Sequence, residues 1–272
     1  MDTTALLAAF PVRAEEALCI LFEAGAQPES SFLAFKDRHE GRLHSLYIHP
    51  QLKELQDYGP WLLEVDDKEQ LQEYLETLPG CVAVITSTRY PPLLAVQLSH
   101  GCTIVPPEGA AVLVRFYTGH VIGALAAGAQ YDWHAYLFNG ITQWWLPGNV
   151  QWQRLSILPS ANKTPTSHVI RLDKNAWQQI SDRPEVSRVL KEWQQMSTSL
   201  GVSPCAQRLM VLKALNKAES VGLEHPADQM LYALCYLNGG KRMLESEDFY
   251  AALPKVVNGQ IRLSQAISGV SF

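Results

Sequence analysis

Arg115 lies in "AVLVRFYTGHVIGAL" (111–125), with an apolar run before it and two aromatics after it. Read as a strand with period-2 alternation, Ala111, Leu113, Arg115 and Tyr117 share one face, and Val112, Val114 and Phe116 share the other. Neither face is polar, so the guanidinium is expected among core-type neighbours. Three chemistries fit such a residue: an active-site cation, an anion-binding group, or one half of a structural ion pair. A charge left unpaired in a core costs several kcal/mol, so the structural reading requires a carboxylate. If "GPWLLEVD" (59–66) is the neighbouring strand, Leu62, Glu64 and Asp66 share a face, and Glu64 or Asp66 is the expected partner.

The other candidates are weaker. His120 and His134, with Asp132 in "YDWH", suggest a metal or acid–base cluster, but they lack the i, i+4 spacing that places two ligands on one helical face. They are expected to face solvent. His100 stands two residues from Cys102, whereas a Cys–His nucleophile pair usually joins residues far apart in sequence. Glu64, Asp66 and Asp67 read as a strand end and a helix cap. Gly119, Gly123 and Gly128 follow a strand without matching either phosphate-binding fingerprint, and a helix packed closely on a sheet accounts for them. Trp133, Trp144, Trp145 and Trp152 have the surface to stack on a sugar or base, yet aromatic strands more often fill a core. No GxSxG, Walker, GxGxxG or HExxH motif occurs. The residues therefore predict no catalytic, cofactor or metal site.

Elements that position these residues alternate through the first 158 residues. Strand signals fall at "EALCILFE" (16–23), "RLHSLYIH" (42–49), "GPWLLEVD" (59–66), "CVAVITST" (81–88) and "AVLVRFY" (111–117). Between them, "DKEQLQEYLETLPG" places Leu71, Tyr74, Leu75 and Leu78 on one helical face, with Asp66 or Asp67 as cap and Pro79–Gly80 as stop. Asn139–Gly140 in "LFNGITQWW" predicts a hairpin with a type I′ turn. "LPSANKTPTSH" is the linker candidate, set at 159–168. Beyond it the pattern is helical. "PEVSRVLKEWQQMSTSLG" carries Val186, Val189, Leu190, Trp193 and Met196 on one stripe, ended by Gly201. In "SPCAQRLMVLKALNKAESVG", Ser203 caps and Gly222 terminates. "PADQMLYALCYLNGG" is apolar nearly all round and is expected to be a buried central helix. The predicted fold is α+β or α/β: a mixed-sheet lobe over 1–158, then an all-helical lobe over 169–272.

Composition narrows the classes. A net charge of −5 argues against a nucleic-acid binder or a basic membrane-surface protein. No apolar run approaches the about 20 residues of a membrane helix, so membrane insertion is not expected. The opening segment lacks a basic n-region, so a secretory signal is not expected. Five scattered cysteines without a CxxC pair read as reduced core thiols, and the cytoplasm is the expected address.

Four stretches, "YGPWLLEVDD" (58–67), "CVAVITSTRYPPLLAVQL" (81–98), "VRFYTGHVIGAL" (114–125) and "ITQWWLPG" (141–148), occur in the order and spacing of one bacterial family. Over roughly residues 15–150 the chain resembles the type VI secretion effector chaperones, or adaptors. Gly59, Pro60, Trp61, Arg115, Phe116 and Tyr117 fit position by position. Thr118–Gly119 stands where the family usually has Asp-Pro, and Thr118 remains able to cap the following helix. The resemblance implies a non-catalytic cytoplasmic chaperone that binds the N-terminal region of a cognate toxin and delivers it to the VgrG spike. Under it, Arg115 is a buried, paired structural arginine, or else it opens onto a groove and grips the cargo. An exposed apolar groove is expected on the helical lobe, with Trp177 and Trp193 as weak cargo-binding candidates. The alternatives are an α/β small-molecule enzyme or sensor built from Arg115, His120 and His134, and an interaction module outside secretion.

Overall fold

The computed structural model describes residues 2–9, 15–148, 150–161, 167–181, 183–200, 202 and 204–269. It divides into two compact units, Met1–Gln178 and Gln179–Phe272.

In the first unit the elements run α1 (Thr4–Ala8), β1 (Ala17–Glu23), α2 (Glu29–Arg38), β2 (Leu43–Ser45), β3 (Pro60–Val65), α3 (Lys68–Thr77), β4 (Cys81–Ser87), α4 (Pro91–Ser99), β5 (Thr103–Val105), β6 (Val112–Leu113), α5 (Gly119–Ala126), α6 (His134–Phe138), β7 (Ile141–Pro147), β8 (Trp152–Arg154) and β9 (Ile170–Arg171). Six strands form one sheet in the order β2-β3-β1-β4-β7-β8, with every pairing antiparallel. Parallel pairing among the described strands occurs in the small sheet β6-β5-β9, between β5 and β9. The fold is α+β.

Central strand β1 is buried on both faces, as its unbroken apolar run requires. Its even-numbered side chains Leu18, Ile20 and Phe22 lie opposite Val65, Leu63 and Trp61. Together with Phe32 and Leu71 from α2 and α3 they build one core layer. The odd-numbered residues Cys19, Leu21 and Glu23 lie on the other face, opposite Glu64, Leu62 and Pro60. Helix α3 starts where its sequence pattern puts it, because Asp67 accepts a hydrogen bond from the Gln70 amide at 2.8 Å.

Three local expectations fail for physical reasons. The Asn139–Gly140 pair is not a hairpin turn: α6 ends there and the chain reverses into β7. Asn139 has φ −59°, whereas a type I′ turn needs positive φ at both central residues; Gly140, at φ +75°, gives a type II geometry. The strand expected over 111–117 reduces to β6, and Arg115, Phe116 and Tyr117 lie in the turn that leads into α5. The boundary also falls later than 159–168: β9 returns to pair with β5, and the units divide within α7 (Lys174–Ile180). Residues 162–166 of the linker candidate lie outside the described residues.

The second unit is helical: α8 (Pro184–Trp193), α9 (Pro204–Ser220), α10 (Pro226–Cys235), α11 (Lys241–Leu244), α12 (Glu247–Val257) and α13 (Leu263–Gly269). Helix α10 packs against α8, α9 and α13, but of its residues only Tyr232 and Ala233 are buried, so it is central without being the buried helix expected. The α8 stripe of Val186, Val189 and Trp193 is fully buried against α9. Gly222, at φ +86°, follows the end of α9. The capping residue Ser203 and the terminator Gly201 lie outside the described residues.

Candidate functional site

The strongest polar cluster of the first unit stands at the C-terminal end of β1. Glu23 projects from the odd-numbered face, and the turn before α5 brings Arg115 and Tyr117 to it. Arg115 Nε donates to Glu23 Oε1 at 2.7 Å, and Arg115 Nη2 donates to Glu23 Oε2, a bidentate arrangement. Tyr117 donates its hydroxyl to Glu23 Oε1 at 2.5 Å. The two sides of the pair differ in burial: the Arg115 side chain is 63% exposed and the Glu23 side chain 17%. One edge of the guanidinium is held from below by a sheltered carboxylate while the rest faces outward.

That geometry corrects the expected partner. Glu64 and Asp66 do not bind Arg115. The antiparallel register sets Glu23 opposite Pro60, so Glu64 lies four residues along β3, roughly 13 Å away at strand spacing. Asp66 pairs instead with Arg42 at 2.9 Å. Strand β3 neighbours β1 and β2 rather than the Arg115 segment. Arg115 is also not buried, because the segment that leads to it runs at the surface: Val112 and Leu113 of β6 are themselves exposed.

Around the cluster the motif residues pack. Phe116 and Tyr117 are buried, with Phe116 5.4 Å from the Tyr117 ring and 6.4 Å from Trp144. Burial and the Glu23 carboxylate push the Tyr117 hydroxyl well above its ordinary range, so it stays a donor. Tyr47 lies against Gly59, where an added Cβ would sit 2.4 Å from the ring, so only glycine fits beneath it. Burial pushes Tyr47 up to about 12, and both Glu23 and Arg115 are near enough to influence it. Pro60 is buried, and Trp61 donates its indole N–H to the Gln56 carbonyl at 2.7 Å. Thr118 does not cap α5 with its side chain; its hydroxyl turns back to the Arg115 carbonyl at 3.0 Å.

The other candidates whose contacts are resolved are engaged in packing and hydrogen bonds. His134 is fully buried, not solvent-facing. Its Nε2 donates to the Ala126 carbonyl at 3.0 Å, leaving Nδ1 to accept from Ser160 Oγ at 2.7 Å, so both ring nitrogens are engaged. Burial holds it below the ordinary histidine value. Cys102 is buried with its thiol pushed far up, the opposite of a nucleophile. His100 packs against the His168 ring at 4.8 Å and Tyr136 at 5.2 Å. Trp133, Trp144, Trp145 and Trp152 are core residues. Trp193 is fully buried, its indole N–H on Thr198, and offers nothing to a cargo; Trp177 is half-buried. Among the described residues no group of three or more His, Cys, Asp or Glu is placed to hold a metal, and no helix is long and apolar enough to cross a membrane.

Glu23 is the residue that sequence reasoning missed. It ends an apolar strand run and reads as a strand terminus, and nothing local signals that a turn 92 residues later delivers a cation to it.

Residues 19–133 match the family model of a domain of unknown function, DUF4123. The DUF4123 match takes in Glu23, Gly59–Trp61 and Arg115–Tyr117, hence the whole polar cluster. It stops before β7, so "ITQWWLPG" lies beyond it, and it is narrower than the resemblance over 15–150. Neither a curated protein nor a solved structure matches the chain.

Proposed function

We propose that the chain is a non-catalytic adaptor that binds a cognate type VI secretion effector, through the effector's N-terminal region, and delivers it to the VgrG spike in the cytoplasm. The observation that carries this reading is the DUF4123 match over residues 19–133, a domain type associated with such adaptors, coinciding with an arginine displayed at the surface on a sheltered carboxylate. Such a guanidinium is held for recognition: Glu23 and Tyr117 fix its plane, and its outward N–H groups remain available to a carboxylate or carbonyl of the cargo. The uncharged helix α4 adds an apolar row, since Tyr90, Leu93 and Val96, three residues apart, are 66%, 58% and 43% exposed.

A tagged pull-down from the native bacterium, with mass spectrometry of what co-elutes, tests the reading. The expected result is one large effector, with or without VgrG, lost on Arg115→Glu in a chain that still folds. Isolation without a partner while the secretion genes are expressed overturns it.

A further inference from the structure

Outside the DUF4123 match, the sheet of the first unit opens. Strands β7 and β8 pair from Pro147↔Trp152 to Trp145↔Arg154, and the Leu155 amide makes one more ladder bond, to the Trp144 carbonyl at 2.7 Å. Continued, this register would set Thr142 against Ile157. Instead the chain swings away. Leu158 bonds the Ala126 carbonyl at 3.3 Å, Ser160 bonds His134, and Ala161 bonds the Ala129 carbonyl at 2.8 Å. Residues 158–161 are therefore held by α5, α6 and the turn between them. Among the described residues, no backbone hydrogen bond joins 141–143 to 156–160.

The gap is a cleft of about 740 Å³, inside the range of about 300–1,000 Å³ usual for ligand sites. One wall is the Ile141–Gln143 edge of β7 and the other is the 155–160 arm, with Phe138 and Asn139 of the α6 end closing it. Its lining alternates apolar side chains, such as Ile141 and Ile157, with hydroxyls and amides. Among the described residues, Arg154 is the one ionised residue of its lining, and no Asp or Glu lines it. Arg154 is exposed, and its guanidinium rests on the Thr142 carbonyl at 3.3 Å, an edge group that a neighbouring strand would otherwise take.

We infer that this cleft binds an extended peptide segment that adds as a strand to the β7 edge and carries an acidic side chain to Arg154. An extended chain supplies an acceptor for the Thr142 amide and a backbone donor that replaces Arg154 on the Thr142 carbonyl, while its alternating side chains meet the mixed lining. The uncompensated cation selects an acid among them. The site goes beyond the adaptor reading: it would accept such a strand even in a protein that delivers nothing to a spike.

The test is selection of a random dodecapeptide display library on the full chain, followed by titration of the enriched sequence as a synthetic peptide. Expected are peptides with alternating apolar positions and one Asp or Glu, and new hydrogen-exchange protection confined to Thr142, Ser156 and Ile157. Arg154→Glu should weaken binding at least tenfold, and a peptide with its acid changed to Lys should recover on that variant, which also shows that the variant folds. N-methylation of alternate peptide amides should abolish binding. The inference is overturned if no sequence is enriched, if protection maps elsewhere, if Arg154→Glu binds equally well, or if free acetate and succinate occupy the cleft and the peptide does not. None of these outcomes depends on an effector, so the adaptor reading stands or falls separately.

Discussion

Two arginines, one in each unit, invert what their sequence settings suggest. Arg115 follows an apolar strand run, yet it is 63% exposed and meets a carboxylate at the surface. Arg208 sits in α9 between Gln207 and Leu209 as a charged helix residue that solvent would ordinarily take, yet it is 4% exposed and donates to the carbonyls of Gln179, at 3.3 Å, and Ser181, at 2.6 Å. Those carbonyls lie at the C-terminal end of α7, where the helix leaves acceptors unpaired and favours positive charge. Arg115 is thus arranged to present a charge, and Arg208 to satisfy backbone. Burial decides the energetics: an exposed ion pair is worth little, whereas removing a buried donor strands its partners.

The sharpest way to break the comparison is Arg208→Met. It should cost about 2–3 kcal/mol of stability, because the Gln179 and Ser181 carbonyls lose a charged donor within a buried site. Hydrogen exchange, which resolves the two units, should place the loss in the helical one. Equal stability for Arg208→Met and Arg115→Met would remove the distinction.

Next in size, Tyr117→Phe should cost about 1 kcal/mol by urea unfolding, since a buried hydroxyl that donates to Glu23 disappears. The loss should appear in the sheet unit. A neutral result would mean that Arg115 alone satisfies Glu23.

Arg115→Met should cost less than about 1 kcal/mol, and the difference from wild type should shrink further in high salt. Effector co-purification should nonetheless fail. A loss of several kcal/mol would restore the buried structural arginine that the sequence pattern suggests.

The smallest effect is on pH dependence, where neither guanidinium contributes because neither titrates near neutrality. His134 does. Burial holds its folded pKa below the ordinary 6.5, so below that value the unfolded chain binds a proton that the native state resists. Its contribution is whole above pH 6.5 and is lost as pH falls below it. His100 and His44 are lowered in the same direction, chiefly by burial. Urea midpoints should therefore drop from pH 7.5 to pH 5.5, and His134→Gln should flatten that drop. An unchanged slope would show that folding does not lower the His134 pKa.

Much of the fold is legible in the chain because its causes are local. Asp67 caps α3 through a side chain three residues from the amide it binds. The apolar runs of β1, β3 and β4 form strands within one or two residues of the pattern. The α8 stripe of Val186, Val189 and Trp193 buries as its period requires. The candidate site was legible only in part: Arg115, Phe116 and Tyr117 stand out by residue type, but Glu23 does not. The expected partners failed because strand order and register, which no single strand encodes, set Glu64 far from the end of β1. Asn139–Gly140 misleads in a similar way. The dipeptide is compatible with two turn types, and the helix packed before it selects the second.

By itself the sequence determined the element types, the two textures of the chain, the absence of familiar catalytic motifs and the prominence of Arg115. These depend on side-chain period, capping and composition, all readable within a few residues. Only the tertiary structure decided that Arg115 faces outward on Glu23, that Trp193 is unreachable, that β9 returns to the first unit and that β7 parts from the 156–161 arm. Each of these turns on pairing between segments tens of residues apart, where burial and hydrogen-bond satisfaction across the whole fold, rather than local preference, choose the winner.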